Sequence, residues 1–190
     1  MLTEIEFDLP ALQFELMGYP PIKQGHSLAV VLDAGVLSPG PVGTSWFVVQ
    51  KEPLPHRFEQ VGRAAYAFSG QIVEADIVND AGVETATVLI KAGDVTFRAT
   101  CAPGVDGRLP YGTWETRTIT GLAQFQGIVE DDFTSPIGEP VGVTVWRFRR
   151  LVLTPGDPLF GVWHESEELP PVPYQYDRVL VVGKIHRRRL

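Results

Sequence analysis

Glycine and proline are spread so densely along this chain that a long helix has almost no room to form. The 190 residues include 19 Gly and 16 Pro. Proline removes a helical hydrogen bond and glycine weakens a helix. Apolar residues instead alternate with polar ones, which is the period of a strand with one buried face. The sequence therefore predicts an all-β protein, with a single helical turn expected around 56–64.

Length and charge limit the classes of protein that need considering. A chain of this length suits one hydrophobic core, so residues 1–190 are expected to form a single domain. The 16 basic and 23 acidic residues give a net charge of -7, which argues against a general polyanion binder. Two arginine-rich stretches, 147–150 and 187–189, are where a nucleic acid would bind.

The N-terminus and the single cysteine indicate a cytoplasmic protein. The first residues are acidic where a signal peptide is basic, and no apolar run approaches the roughly 20 residues that span a bilayer. Neither secretion nor membrane insertion is expected. Cys101 cannot form an internal disulfide, and its apolar neighbours favour a small buried hydrophobe over a catalytic thiol.

The middle of the chain predicts five successive strands. A long strand with a bulge at Gly70 reaches the turn "NDAG" (79–82), whose residues tolerate positive φ. The chain then returns, turns again at "KAGD" (91–94) and completes a three-stranded meander. A fourth strand runs from Trp114 to about residue 129, and "VGVTVWRFRRLVL" (141–153) is the fifth.

This order resembles the OB-fold, a five-stranded Greek-key barrel. The resemblance covers about residues 60–154 and implies a closed barrel, with a Greek-key β-sandwich as the alternative. Gly121 and Gly127 in the fourth strand are expected to let it bend at a barrel corner. The segment between the third and fourth strands is too short and too rich in Gly and Pro for the helix that many such barrels carry there.

Additional strands flank the predicted barrel on both sides. Residues 4–52 contain four alternating or apolar runs: 4–9, 12–17, 27–34 and 44–51.

A C-terminal arm and strand occupy 164–188. The arm carries Pro170, Pro171 and Pro173 and is expected to be exposed and extended. The strand after it either returns to the N-terminal strands or exchanges with a second subunit. Because surplus strand edges need partners, a homo-oligomer formed through the terminal strands is predicted.

The segment "VWRFRRL" is the leading candidate for a binding site. On a regular strand, Trp146, Phe148 and Arg150 share one face, and Arg147 and Arg149 share the other. Aromatic rings beside guanidinium groups suit single-stranded nucleic acid. In the alternative interpretation the rings enter the core and the arginines pair with acids on neighbouring strands.

Trp114 and Tyr111 could add a stacking platform at a barrel mouth, although a Trp at that place is also a common plug.

Catalysis has weaker support in the sequence. Asp131 and Asp132 could serve a carboxylate-dependent hydrolase, but neighbouring strand residues point to opposite sides. A metal site at "HESEE" (164–168) lacks an identifiable second nitrogen or sulfur ligand. Because no phosphate-loop, dinucleotide, nucleophile-elbow or zinc motif occurs, neither cofactor nor metal is expected.

These observations favour a non-catalytic interaction module that associates with itself. Two alternatives stay open: single-stranded nucleic-acid binding through the aromatic and arginine strand, and a carboxylate-dependent hydrolase. A protein partner is a further possibility that the arginine cluster leaves open.

Overall fold

The structure is a computed structural model, which describes residues 3–10, 22–37, 46–102, 114, 117–128, 137–169 and 177–186. These residues form strands, turns and irregular segments, with no helix among them, and the all-β prediction is confirmed. The strands are β1 (Thr3–Asp8), β2 (Ser27–Val36), β3 (Phe47–Gln50), β4 (Arg57–Gly62), β5 (Ala65–Asp80), β6 (Val83–Ala92), β7 (Val95–Cys101), β8 (Thr118–Ile128), β9 (Val141–Leu151), β10 (Trp163–Ser166) and β11 (Arg178–His186). The strand predicted over 12–17 lies outside the described residues.

The predicted meander is present as β5, β6 and β7, which pair antiparallel in sequence. Its first turn has positive φ at Ala81 and Gly82, and the Asn79 side chain accepts a hydrogen bond from the Gly82 N–H. The bulge in β5, expected at Gly70, lies instead at Val73, where the pairing with β6 shifts by one residue.

The helical turn expected around 56–64 is wrong, because most of this segment is strand β4, antiparallel to β5. The Phe58 ring stacks on Tyr66 with 4.5 Å between ring centroids. Pairing along β5 and this aromatic contact favour the strand over an isolated helical turn, which is costly to nucleate.

All the strands belong to one mixed sheet in the order β10-β9-β11-β1-β8-β2-β7-β6-β5-β4, with β3 also paired to β8. Two further pairings, β9 with β2 and β8 with β5, make this path return on itself twice. The first ring of pairings is β5-β6-β7-β2-β8 and the second is β2-β9-β11-β1-β8. Strands β2 and β8 are common to both rings.

The first ring contains β2. The sequence predicts in its place the strand over 141–153, which corresponds to β9. Strand β2 pairs in parallel with β7 and antiparallel with β8. Asp33 of β2 forms an ion pair with Arg98 of β7 at 3.0 Å and accepts a hydrogen bond from Gln126 of β8. These polar contacts between distant parts of the sequence fix β2 between its two partners.

The core lies on the inner faces of these strands. A cluster of aromatic side chains, in which the rings of Phe97 and Phe125 have centroids 4.9 Å apart, is part of this core. The largest fully buried side chains are Trp114, Tyr66, Phe7, Phe68, Phe97, Phe125, Phe148, Ile5, Leu32, Ile72, Ile90 and Ile119.

Strand β8 passes through both rings, and its glycines give room to its neighbours. A Cβ on Gly121 would come within 2.7 Å of the Trp46 carbonyl oxygen. A Cβ on Gly127 would collide with the ring of Phe7. The two glycines therefore allow close approach of other parts of the chain, which is a separate need from bending the strand.

The two terminal strands pair with each other. Strand β11 lies antiparallel to β1 from Thr3–Ile185 to Asp8–Leu180, and it pairs with β9 on its other side. Strand β1 also meets β8 at Asp8–Gln126. The terminal strand thus takes the first of its two predicted routes, back to the N-terminal strands. None of the described segments is a helix long and apolar enough to cross a bilayer.

Candidate functional site

Strand β9 carries most of the residues predicted to bind a ligand, and one of them forms a β-bulge. Val182 of β11 pairs with Arg147, but the next residue, Gly183, pairs with Val145, so Trp146 is an extra residue on β9. The bulge shifts the alternation of side chains. Val145 and Phe148 are both buried, whereas Trp146 is only half-buried. Trp146 and Phe148 therefore do not share the face expected from a regular strand.

Arg147 and Arg149 share the carboxylate of Glu165 on β10. The Arg147 Nη1 lies 3.2 Å from one Glu165 oxygen and the Arg149 Nε lies 2.8 Å from the other. Arg149 also donates to the buried carboxylate of Glu6 on β1.

These contacts favour the charged forms of the partners. The hydrogen bond from Arg149 lowers the pKa of Glu165. Burial alone would lower the pKa of Arg149, but its hydrogen bonds with Glu165 and Glu6 raise it overall. Arg149 is therefore held in place by internal acids, whereas Arg147 keeps 40% of its side chain exposed.

Arg150 is tied to a buried acid beyond the end of the strand. Its Nη2 lies 2.5 Å from Asp177, and the other oxygen of Asp177 accepts the backbone N–H groups of Leu153 and Thr154. Burial alone would raise the pKa of Asp177, but these hydrogen bonds lower it overall. The Arg150–Asp177 pair thus organises the chain where β9 ends.

An open groove of about 490 Å³ lies beside Trp146 and Arg147, where β9 changes partners. Phe148 pairs with Ser166 of β10, while Val145 exchanges backbone hydrogen bonds with Gly25 and His26. Between these contacts the sheet has a notch opposite Trp146 and Arg147. We call this site the notch groove; its lining residues are Gln24, Trp146, Arg147, Glu165, Ser166 and Glu167.

The rim of the notch groove is formed by two segments that pair with each other. Gln24 donates its backbone N–H to Glu167, and Leu169 donates to Ile22. An ion pair of 3.3 Å between Lys23 and Glu168 reinforces this contact. The groove is thus bounded by hydrogen-bonded backbone on the side away from β9.

Trp146 and Arg147 have different environments within the groove. The Lys184 ammonium lies 4.2 Å from the centroid of the Trp146 ring, a cation–π contact that holds the indole against β11. The Arg147 Nε is buried and has no hydrogen-bond partner among the described residues. A half-buried indole and a partly exposed guanidinium group thus lie side by side.

The remaining predicted binding residues that the structure describes do not line the groove. Phe148 is buried in the core, and Trp114 is 1% exposed with its ring centroid 6.3 Å from that of Phe47. Tyr111 lies outside the described residues. Of the predicted residues within the described ranges, Trp146 and Arg147 alone line the groove.

The predicted acidic candidates supply no centre within the described residues. Asp131 and Asp132 lie outside the ranges that the structure describes. His164 and Glu165, from the "HESEE" segment, belong to β10, and Glu165 is occupied by the arginines. Among described positions, no group of three or more His, Cys, Asp or Glu side chains could hold a metal ion.

Sequence reasoning considered Glu165, Ser166 and Glu167 only as part of a metal-site candidate, "HESEE" (164–168), and did not identify Gln24. Gln24 precedes the tight turn at Gly25, and Ser166 and Glu167 lie where β10 ends. Nothing in their local pattern places them beside Trp146 and Arg147, because the groove depends on strands far apart in sequence. The Trp146 bulge was equally hidden, since it is visible only against the register of β11.

A second open groove, of about 380 Å³, lies near the end of β1. Its polar side chains already bond to each other. Asp8 accepts hydrogen bonds from Arg178 at 2.5 and 2.8 Å and another from Gln124. The hydrogen bond with Asp8 raises the pKa of Arg178. This groove therefore offers a ligand fewer unused polar groups than the notch groove.

The fold and the groove define an all-β protein with a mixed sheet and an open polar groove at a break in that sheet. Comparison with known proteins finds no matching family model, no similar curated protein and no similar solved structure.

Proposed function

We propose that the chain is a non-catalytic binding module whose ligand site is the notch groove. The observation that carries this proposal is that Trp146 and Arg147 line one open groove with their side chains partly exposed. Ligand sites commonly combine an aromatic surface with a few convergent polar groups.

The proposed scaffold is an OB-like barrel whose fifth strand is β2. The first ring of pairings, β5-β6-β7-β2-β8, supports it, because three meander strands, a fourth strand and a strand parallel to the third are the parts of such a barrel. In this chain β2, which takes the place of the fifth barrel strand, precedes the other four barrel strands in sequence.

The ionisable groups support a binding role over a catalytic one. Catalytic acids and bases work best when their pKa lies near the operating pH. Here the pKa values of Glu165 and Asp177 are lowered and that of Arg149 is raised, so each group stays charged at neutral pH. Burial raises the pKa of the Tyr66 hydroxyl and raises that of the Cys101 thiol to about 12. Cys101, the one cysteine of the sequence, is free and buried, which agrees with the proposed cytoplasmic location.

Nucleic-acid binding and self-association receive less support from the geometry. Phe148 is buried, and Arg149 and Arg150 are paired with internal acids, so most of the expected stacking and phosphate contacts are occupied. Strand β11 has a strand on both sides, and β1 pairs with β11 along its length and with β8 at Asp8–Gln126, which weakens the motive for exchanging them with a second copy.

The experiment is a tryptophan-fluorescence titration with probes of four classes: an oligo-dT single strand, a neutral oligosaccharide, a Lys-rich peptide and a Glu-rich peptide. Binding at the notch groove predicts that one class gives a saturable change in wild-type protein that is lost in W146F. The matched control is W163F, because Trp163 is also half-buried but contacts Arg63, outside the groove. No response from any class, or a response that survives in W146F, would contradict the proposal.

A further inference from the structure

We infer that the notch groove takes a neutral oligosaccharide, an inference that rests on the binding role proposed above. The first step is the charge balance of the groove. Arg147 is its only basic lining residue among those described, and its charge is matched by Glu165 at 3.2 Å. Glu167 adds a further exposed carboxylate. A polyanion would meet a site with no surplus positive charge, so an uncharged ligand is favoured.

The second step is the combination of donors and acceptors. Sugar hydroxyl groups both donate and accept hydrogen bonds, so they need both kinds of partner. The Gln24 amide offers both, the Glu167 carboxylate accepts, and the Arg147 guanidinium, on a side chain that is 40% exposed, donates. Ser166 donates its hydroxyl proton to the Glu168 carbonyl and keeps its oxygen lone pairs as acceptors.

The third step is the apolar surface. Trp146 is half-buried, and the Lys184 ammonium lies over one face of its ring, 4.2 Å from the centroid, so a sugar would stack on the opposite face. A sugar ring has a face of C–H groups and a rim of hydroxyl groups, which matches an indole surrounded by polar side chains. The groove opens to solvent and has about 490 Å³, which leaves room for a chain that continues beyond the site.

The test uses cellohexaose, maltohexaose and mannohexaose as neutral probes and a polygalacturonate hexamer as the anionic probe, with binding measured by calorimetry. We expect saturable binding of at least one neutral probe, with an affinity that changes less than about twofold between low and high salt because no counterions are released.

Three variants locate the binding. W146A should weaken it on the order of tenfold through loss of the stacked ring, and Q24A should weaken it by about threefold through loss of a hydrogen bond. W163A is the matched control and should leave the affinity within about twofold, because Trp163 lies outside the groove. Far-ultraviolet circular dichroism and the thermal midpoint of each variant establish that it is folded.

The inference is overturned if no neutral probe binds, if only the polygalacturonate binds, or if neutral binding is unchanged in W146A that is shown to be folded. The outcomes also separate the two proposals. Binding of oligo-dT or a peptide at Trp146 without sugar binding would support the binding module but contradict the oligosaccharide as its ligand. If no probe class binds, both the binding-module proposal and the oligosaccharide inference are contradicted.

Discussion

Three carboxylates form ion pairs with the arginines of β9 and so limit which guanidinium groups could contact a ligand. Glu6 and Glu165 hold Arg149, and Asp177 holds Arg150. Glu6 is the most enclosed of the three as a whole residue, at 2% exposure. Its carboxylate also accepts the backbone N–H of Ala64 at 2.9 Å. It therefore ties β1, the turn after β4 and β9 together, and its loss should be felt in all of them.

Replacing Glu6 should destabilise the protein far more than replacing its exposed neighbour. An amide in E6Q keeps one acceptor oxygen but turns an NH₂ group toward a donor, either Arg149 or the Ala64 N–H. We expect the free energy of unfolding to fall by about 2 kcal/mol, since a buried charge partner is lost. The measurement is urea unfolding at neutral pH.

The control is E4Q, because Glu4 lies on the same strand but is exposed. Its unfolding free energy should stay within about 0.5 kcal/mol of the wild type. Equal effects of E6Q and E4Q would mean that the buried network contributes nothing beyond surface charge.

At the scale of elements, the register between β9 and β11 decides where the groove lies. The bulge moves Trp146 out of the alternation while Val145 and Phe148 remain in the core. Gly183 lies at this irregularity on β11. A Cβ there would come within 2.5 Å of the Thr144 carbonyl oxygen. The close approach of the two backbones thus depends on a residue without a side chain.

Replacing Gly183 by Ala should separate the two strands. The new methyl group has backbone on one side and Val143 Cγ1 at 2.6 Å, so it cannot be accommodated by a rotamer change. We expect G183A to lower the unfolding free energy by roughly 2–4 kcal/mol. Chemical denaturation followed by circular dichroism measures this.

Gly142, on β9, is the matched position. The nearest atom to an added Cβ there is 3.9 Å away, on His186. G142A should therefore change stability by less than about 1 kcal/mol. A loss in G142A as large as that in G183A would indicate that any change to this strand pair is destabilising.

The elements differ in how far they can be predicted from the sequence. The β5–β6 hairpin is predictable because its turn lies within four consecutive residues, 79–82, two of which adopt positive φ. Strand β4 depends on Phe58 stacking against Tyr66 and on an edge of β5, neither of which is visible in its own segment. Of the groove, Trp146 and Arg147 are predictable as an aromatic beside a cation, whereas Gln24 comes from another part of the chain.

At the scale of the whole molecule, β2 and β8 join two rings of paired strands. Each ring contains strands from widely separated parts of the sequence, and β1 lies beside β11. Neither ring can keep its pairings if β2 or β8 is lost. The strand order expected from local patterns placed β9 in the first ring. Sequence order alone does not reveal that β2 pairs with β7.

Because the rings share two strands, we expect the described sheet to unfold in one cooperative transition. Val88 of β6 and Val143 of β9 are both fully buried, one in each ring. V88A and V143A should each lower the unfolding free energy by about 2 kcal/mol through lost burial and a cavity. Tryptophan fluorescence and circular dichroism should give coincident urea midpoints for each variant. Two separate transitions, or a variant that shifts only one of the two signals, would show that the rings are independent.

The extra residue in β9 has a consequence for how this protein can change through mutation. Val145 and Phe148 flank Trp146 and Arg147 and both point into the core. Without Trp146, the remaining residues of β9 would alternate as in a regular strand. Gain or loss of one codon at this point therefore adds or removes the indole while leaving the core positions on each side in phase. The side chains that line the notch groove can therefore vary here without a compensating change in the rest of the strand.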